Sequence, residues 1–284
     1  MILSVTGDPR RTRGQRPGAC HACVERARRP ARVRLAAASG TGSELAAASW
    51  TSIGRGVSYR RVNAAPAILI AYGGYSAQLS HTSAWATALM NAKLAAAGVG
   101  HVYAVQGPAD PKYAAREIAN TALRAHLGKL TGDIAPIYVI AHSSGSYVAH
   151  ELLTQMHAAT DVAHLSRISY ANLDGGGTGL TTPIVASLSR IAFVYACDPL
   201  LPSGLSQNSG AMRALGTTYA AYGDAFEVTV PGTGCASGAG WCLHDVLVTH
   251  RPHNPRNYDI ARDYTDFVNR PVTTEYLDLL ISSA

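Results

Sequence analysis

The sequence has little charge and no long apolar run. Charged residues make up 15% of its 284 residues, and no stretch reaches the ~18 consecutive apolar residues typical of a membrane-spanning helix. Hydrophobic residues make up 47% of the chain, which is enough to fill a buried core and argues against disorder over most of the length. The P-loop, the GxGxxG fingerprint and the HExxH motif are also missing. We therefore predict a folded domain that uses no cofactor and no metal.

Cysteine is scarce, with five residues that are too few and too unevenly placed for a disulfide framework. Cys20 and Cys23 form a lone CxxC without a second ligand pair, so zinc binding is not predicted there. Cys235 and Cys242 bracket a glycine-containing loop that favours a disulfide, with two free thiols as the alternative. Such a bridge would contribute about 2.5 kcal/mol. It would favour a secreted or extracytoplasmic location.

The positive charge is concentrated at the amino terminus. Residues 1–34 contain nine arginines and two acidic residues, whereas the other 250 residues contain 15 basic and 16 acidic ones. A folded nucleic-acid-binding domain would carry its basic residues on one face. We expect residues 1–50 to be a disordered Arg-rich extension and residues 51–284 to be a single domain that does not bind nucleic acid.

Strands and helices alternate from about residue 57 onwards. Several apolar runs are continuous, as in strands that are covered on both faces. This alternation predicts an α/β fold with a mostly parallel central sheet between two layers of helices. The strands are predicted at 66–72, 101–105, 136–141, 167–173, 190–197 and 226–230, and the helices at 83–97, 111–129, 145–158, 182–189 and 207–221.

A serine stands between the third of these strands and the helix that follows it. The segment reads Ala141-His142-Ser143-Ser144-Gly145, and it resembles the nucleophile elbow of the α/β-hydrolase superfamily, with Ala141 in place of the usual first glycine. The tight turn needs small residues two positions before and two positions after the nucleophile. Ser143 meets that need and Ser144 does not, because His142 and Ser146 would then occupy the crowded positions. A simple helix cap by either serine is the alternative.

The resemblance implies the chain order serine, acid, histidine. His244 is the candidate base, because its loop follows the last predicted strand and adjoins the predicted disulfide. His250 is the second choice and His253 the third. Residues 245–248 are expected to begin a closing helix, with Asp245 as its cap.

Two aspartates compete for the role of the acid. Asp198 follows the strand at 190–197, one strand before the histidine loop, which is the usual position in the superfamily. Asp174 follows the preceding strand, a placement that resembles the pancreatic-lipase branch. The spacing favours Asp198, with Asp174 as the alternative. Each aspartate could instead serve only to initiate a turn, because Asp before Pro or Gly favours turns.

The resemblance also implies an oxyanion hole. Its donors would be the backbone N–H of Ser144 and one from the glycine-containing loop after residue 72, supplied by Gly74 or Tyr75. Taken together, these residues indicate a serine esterase or lipase-type enzyme that cleaves a small-molecule carboxylic ester through an acyl-enzyme. The alternative is a non-catalytic protein of the same fold that binds a small ligand or a partner in the pocket.

Overall fold

The computed structural model describes residues 49–75, 77–108, 115–130, 135–233, 235, 237–238, 240–248 and 275–281. The proposed extension 1–50 lies outside these ranges except for its last two residues, and so do the alternative bases His250 and His253. The division at residue 50 stays a prediction.

One eight-stranded sheet forms the centre of the described part. Its spatial order is β1-β2-β4-β3-β5-β6-β7-β8. Strand β2 runs antiparallel to both of its neighbours, and all pairings from β4 across to β8 are parallel. The strands are β1 (Thr51–Gly54), β2 (Val57–Arg61), β3 (Ala67–Tyr72), β4 (Val99–Val105), β5 (Ile137–His142), β6 (Ile168–Leu173), β7 (Arg190–Cys197) and β8 (Gly223–Thr229).

The six predicted strands correspond to β3 through β8. Their middle members are buried along their whole length, which explains the continuous apolar runs. The first two strands were not predicted. Strand β2 reads Val-Ser-Tyr-Arg-Arg and is buried only at its start, so it shows neither the alternation nor the apolar run that marks a strand.

Helices cover both faces of the sheet. Leu69 and Ala71 of β3 pack with α1 and α8 on one face, whereas Ile68 and Ile70 pack with α2 and α3 on the other. This alternation confirms the predicted three-layer sandwich. The helices are α1 (Leu79–Leu89), which continues into a π-helical turn (Met90–Leu94), α2 (Ala115–Leu127), α3 (Gly145–Ala158), α4 (Val162–Leu165), α5 (Thr182–Ala186), α6 (Ser209–Thr218), α7 (Gly240–Asp245) and α8 (Glu275–Ile281).

The parallel part of the sheet gathers the candidate residues at one edge. The carboxyl ends of neighbouring parallel strands open at the same edge, which is where sheets of this class place their ligands. The loop after β3, the turn after β5 and the ends of β6, β7 and β8 all lie there. Among the helices described, none is long and apolar enough to span a bilayer.

Candidate active site

Ser143 sits in a strained turn between β5 and α3. Its φ of 54° is in the left-handed region, which a residue with a side chain seldom adopts. Two backbone hydrogen bonds hold the turn: the N–H of Ser143 donates to the carbonyl of Leu173 at 3.0 Å, and the N–H of Ser146 donates to the carbonyl of Ser143 at 3.1 Å. Ser143 remains partly exposed while its neighbours on both sides are buried.

The turn is crowded on the side where the sequence requires small residues. A Cβ at Gly145 would come within 2.4 Å of the carbonyl oxygen of Gly73. A Cβ at Gly175 would come within 2.7 Å of the carbonyl oxygen of Ser143. Backbone cannot yield to such contacts as a flexible side chain could, so both positions require glycine. Ala141 is fully buried within β5, and its methyl group is accommodated there.

The loop after β3 packs against the start of α3, as the contact of Gly73 with Gly145 shows. The N–H of Gly73 donates to the carbonyl of Val105 at 3.0 Å, so it belongs to the sheet. Gly74 and Tyr75 come next in the same loop. Ser144 stands at the N-terminus of α3, where the first N–H groups of a helix have no intrahelical acceptor. The assignment of Gly74, Tyr75 and Ser144 as oxyanion donors stays a prediction.

His244 lies in the last turn of α7 and is 8% exposed. The predicted helix beginning at Asp245 is wrong, because α7 ends at that residue. A disulfide joins Cys235 to Cys242, with their Cα atoms 5.9 Å apart, as the sequence predicted. The bridge fixes the chain two residues before His244. Cys197, at the end of β7, is also disulfide-bonded.

Asp174 is the carboxylate that holds His244. Its Oδ2 lies 2.6 Å from Nδ1 of the histidine. The Ser206 hydroxyl donates to Oδ1 at 2.8 Å, and the backbone N–H of Asn208 donates to Oδ2 at 3.2 Å. Asp174 is completely buried and has a positive φ of 45°. A desolvated carboxylate therefore faces the histidine with several of its acceptor sites filled.

Asp198, the residue that spacing favoured as the acid, binds the loop after β8. Its carboxylate accepts hydrogen bonds from the backbone N–H groups of Leu200, Gly232 and Thr233 and from the Thr233 hydroxyl. It thereby ties the end of β7 to the loop after β8. The favoured pairing of Asp198 with His244 is corrected to Asp174, the alternative. Strand β6 lies directly beside β5, which places its end nearer the serine turn.

The His142 side chain supports the histidine from the other side. Its Nε2 lies 3.2 Å from the carbonyl oxygen of His244, so the N–H donates there, and the two rings have centroids 4.6 Å apart. His244 consequently lies beside the residue that precedes Ser143. His244 is thus on the same side of the molecule as Ser143, as the predicted chemistry requires.

The pKa values of the two imidazoles are shifted in opposite directions. Burial lowers the pKa of His142 well below its usual range, and the nearby His244 lowers it further. Burial also acts to lower the pKa of His244, but the hydrogen bond and the charge of Asp174, helped by the charge of Asp245, outweigh it. The pKa of His244 is therefore raised. The site stabilises a protonated His244 and a neutral His142.

Sequence reasoning did not identify the residues that contact Asp174 and His244. Ser206 and Asn208 lie beyond β7, in a segment with no motif. His142 was considered only as a residue too large for the crowded position of the turn. Its place directly before the serine is a signal that could have been used, because the turn brings that side chain to the same edge of the sheet.

Several solved structures are similar to this chain. An esterase from Pyrobaculum calidifontis has a TM-score of 0.47 at 14% identity, covering 84% of this chain and 87% of its own. An esterase/lipase from an uncultured bacterium has a TM-score of 0.46 at 12% identity, covering 83% and 85%. Carboxyl esterase 2 from the mycorrhizal fungus Tuber melanosporum has a TM-score of 0.43 at 13% identity, covering 82% and 89%. No protein-family model and no curated protein matches the chain.

The order and directions of the strands identify the fold. In the described part of the chain the sheet has eight strands, β2 alone runs opposite to the others, and helices lie on both faces. A serine with positive φ stands between β5 and α3, where the resemblance placed the elbow. This chain has the α/β-hydrolase fold that its sequence predicted.

Proposed function

We propose that this protein is a serine hydrolase that cleaves carboxylic esters, with Ser143 as nucleophile, His244 as general base and Asp174 as the acid that orients it. The observation that carries the proposal is the 2.6 Å contact between Nδ1 of His244 and Oδ2 of Asp174, on a histidine packed beside the serine turn. A hydroxyl is a weak nucleophile that needs such an oriented base.

The reaction follows from these positions. Asp174 accepts a hydrogen bond from the Nδ1–H of His244, which leaves Nε2 as the atom that accepts the Ser143 proton while Oγ attacks the ester carbonyl. His244 then gives this proton to the departing alcohol, and an acyl group stays on Ser143. Water, deprotonated by the same Nε2, attacks the acyl carbonyl, and His244 returns the proton to Oγ of Ser143 as the carboxylic acid leaves. Asp174 stabilises the imidazolium in both steps.

The negative charge that develops on the carbonyl oxygen needs donors. We assign this role to the N–H of Ser144 and to one from Gly74 or Tyr75. The packing of the β3 loop on the start of α3 supports this assignment, because it brings the two segments within contact distance. The N-terminus of α3 adds a favourable dipole. Loss of one donor is expected to cost about 3 kcal/mol of transition-state stabilisation.

The experiment is fluorophosphonate labelling of the full chain followed by mass spectrometry, with hydrolysis of a series of p-nitrophenyl esters in parallel. We expect one adduct on Ser143, and we expect Ser143→Ala to abolish both labelling and turnover. Ser144→Ala is the matched control, since it removes the neighbouring hydroxyl and keeps the backbone donor. It should still be labelled.

A folded chain that takes up no label and turns over no ester would contradict the proposal. That outcome would favour the alternative, a protein of this fold that binds a ligand without reacting with it.

A further inference from the structure

One group of three buried side chains could hold a metal ion, among the residues that the structure describes. His142, His244 and Asp245 each offer one ligand atom, and these atoms all lie within 4.8 Å of one another. All three residues are at most 8% exposed. His142 and His244 are 102 positions apart in the chain, so no local sequence motif marks the group. The prediction of no metal rested on such motifs.

Both imidazoles are held as metal-binding histidines are held. Such a histidine usually gives its other ring N–H to a carboxylate or a backbone carbonyl, which fixes the tautomer and the ring orientation. Nδ1 of His244 donates to the Asp174 carboxylate at 2.6 Å. Nε2 of His142 donates to the His244 carbonyl at 3.2 Å. Since Asp174 engages Nδ1, His244 presents Nε2 as its ligand atom.

The donor set selects the type of ion. Two imidazole nitrogens and one carboxylate oxygen suit Zn²⁺, which takes such ligands at about 2.0–2.2 Å and often leaves a fourth position open. Neighbouring ligands of a tetrahedral zinc ion lie about 3.4 Å apart at those bond lengths. Ligand atoms within 4.8 Å of one another would therefore have to draw together by up to about 1.4 Å to close on the ion.

We propose that His142, His244 and Asp245 form an inhibitory Zn²⁺ site, with Asp174 as its outer-shell partner. The ion would bind through Nε2 of His244, the lone pair that must accept the Ser143 proton. Bound zinc and catalysis therefore exclude each other. The consequence for activity rests on the proposed function, whereas the binding site itself does not.

Calorimetric titration of the full chain with ZnCl₂ tests the site without reference to activity. Wild type and Ser143→Ala should both bind one Zn²⁺. Asp245→Asn removes a ligand, and His142→Phe keeps a ring against His244 but removes the nitrogen atoms. We expect each to weaken binding by at least about tenfold, and Asp174→Asn to weaken it roughly 10- to 100-fold through the outer shell.

Asp161→Asn is the matched control. It disrupts another histidine–carboxylate pair, in which Asp161 contacts His164 at 2.6 Å on a more exposed part of the molecule, and it should leave the zinc affinity unchanged. Substitution by Co²⁺ separates this site from the cysteines, because a thiolate ligand adds a charge-transfer band in the near ultraviolet. We expect no such band.

Several results would overturn the site: no saturable binding below about 1 mM, unchanged binding in both Asp245→Asn and His142→Phe, or a thiolate band. Circular dichroism of each variant identifies loss of folding. If one of Asp245→Asn and His142→Phe does not fold, the zinc affinity of the other tests the site. If zinc binds as expected and no ester is hydrolysed, the proposed function fails and the metal site stands. If esters are hydrolysed, zinc should inhibit and EDTA should restore turnover.

Discussion

Two side chains assigned to the reaction share an unusual backbone conformation. Ser143 has a φ of 54° and Asp174 a φ of 45°. Left-handed conformations of residues other than glycine cost on the order of 1–3 kcal/mol each and persist where the surroundings hold them. Here the N–H groups of Ser143 and Asp174 donate to carbonyls of β6 and β7, and the Asn208 side chain donates to the carbonyl of Asp174. The site stores strain at the positions of the proposed nucleophile and the proposed acid.

The first prediction concerns that strain at Ser143. Ser143→Gly should be more stable than Ser143→Ala by about 1 kcal/mol. Glycine adopts a positive φ at no steric cost, whereas the Cβ of alanine still carries that cost. Neither variant should hydrolyse esters. Urea unfolding of the two variants measures the difference. Equal stability would mean that the turn is not strained in solution.

The second prediction separates the two aspartates. Asp174→Asn should lower kcat by roughly 10,000-fold, because an amide no longer selects the correct His244 tautomer or stabilises its imidazolium. Asp198→Asn should lower kcat by less than about tenfold, since the described contacts of the Asp198 carboxylate are with Leu200, Gly232 and Thr233. Steady-state kinetics on one p-nitrophenyl ester tests both. A larger loss of kcat for Asp198→Asn would identify Asp198, the residue that the sequence favoured, as the acid.

At the scale of elements, a chain of contacts fixes the segment that carries His244, the proposed base. Asp198 at the end of β7 binds Thr233, whose hydroxyl accepts a hydrogen bond from the N–H of Cys235 at 3.3 Å. Cys235 is bonded to Cys242, and α7 then continues to His244. Asp198 and the disulfide therefore position the base from a distance, although neither contacts its ring in the contacts described.

The third prediction follows from this chain. Replacing Cys235 and Cys242 by alanine should lower the free energy of unfolding by about 2.5 kcal/mol, because the unfolded chain loses a cross-link. It should also lower kcat while leaving KM nearly unchanged, since α7 then holds His244 less firmly. Unfolding by urea and ester kinetics at a temperature where the variant is folded measure the two effects. Unchanged kcat would show that Asp174 and His142 suffice to hold the base.

The sequence predicted the elements that are buried and the motif that is local. Strands β3 and β5 are continuous apolar runs because helices cover both their faces. The turn at Ser143 is visible because its steric demands fall on residues two positions away. The partner of His244 was not predictable from spacing, because Asp174 and Asp198 each end a neighbouring strand before a turn. Only the three-dimensional contacts with Ser206, Asn208 and Thr233 distinguish them.

At the scale of the whole molecule, another buried histidine, His150, bears on the stability of the fold. His150 lies in α3 on the face that packs on the sheet, and it is 1% exposed. Its Nδ1 donates to the Thr178 carbonyl at 2.8 Å, and the Tyr170 hydroxyl donates to Nε2 at 2.9 Å. Burial lowers the pKa of His150 to about 4, against a partial opposing effect of the Thr178 carbonyl. The folded protein therefore keeps this ring neutral.

The fourth prediction is a loss of stability in mild acid. Below pH 6.5 the unfolded chain protonates His150 and the folded chain does not until about pH 4, so the free energy of unfolding falls as the pH drops through this window. The contribution of His150 between pH 7 and pH 5 is about 2 kcal/mol. His150→Asn keeps an N–H for the Thr178 carbonyl and does not titrate. Its stability should therefore fall less over the same interval.

Urea unfolding of wild type and His150→Asn at several pH values from 7 to 5 measures this contribution as the difference between two slopes. His142 is also buried with a lowered pKa, and it acts in the same direction, but it is present in both proteins and cancels. His157→Asn, on the exposed face of the same helix, is the matched control and should follow the wild-type slope. If His150→Asn loses stability as steeply as wild type, then His150 is not the neutral, buried group described, and the packing of α3 against β6 through Tyr170 would have to differ.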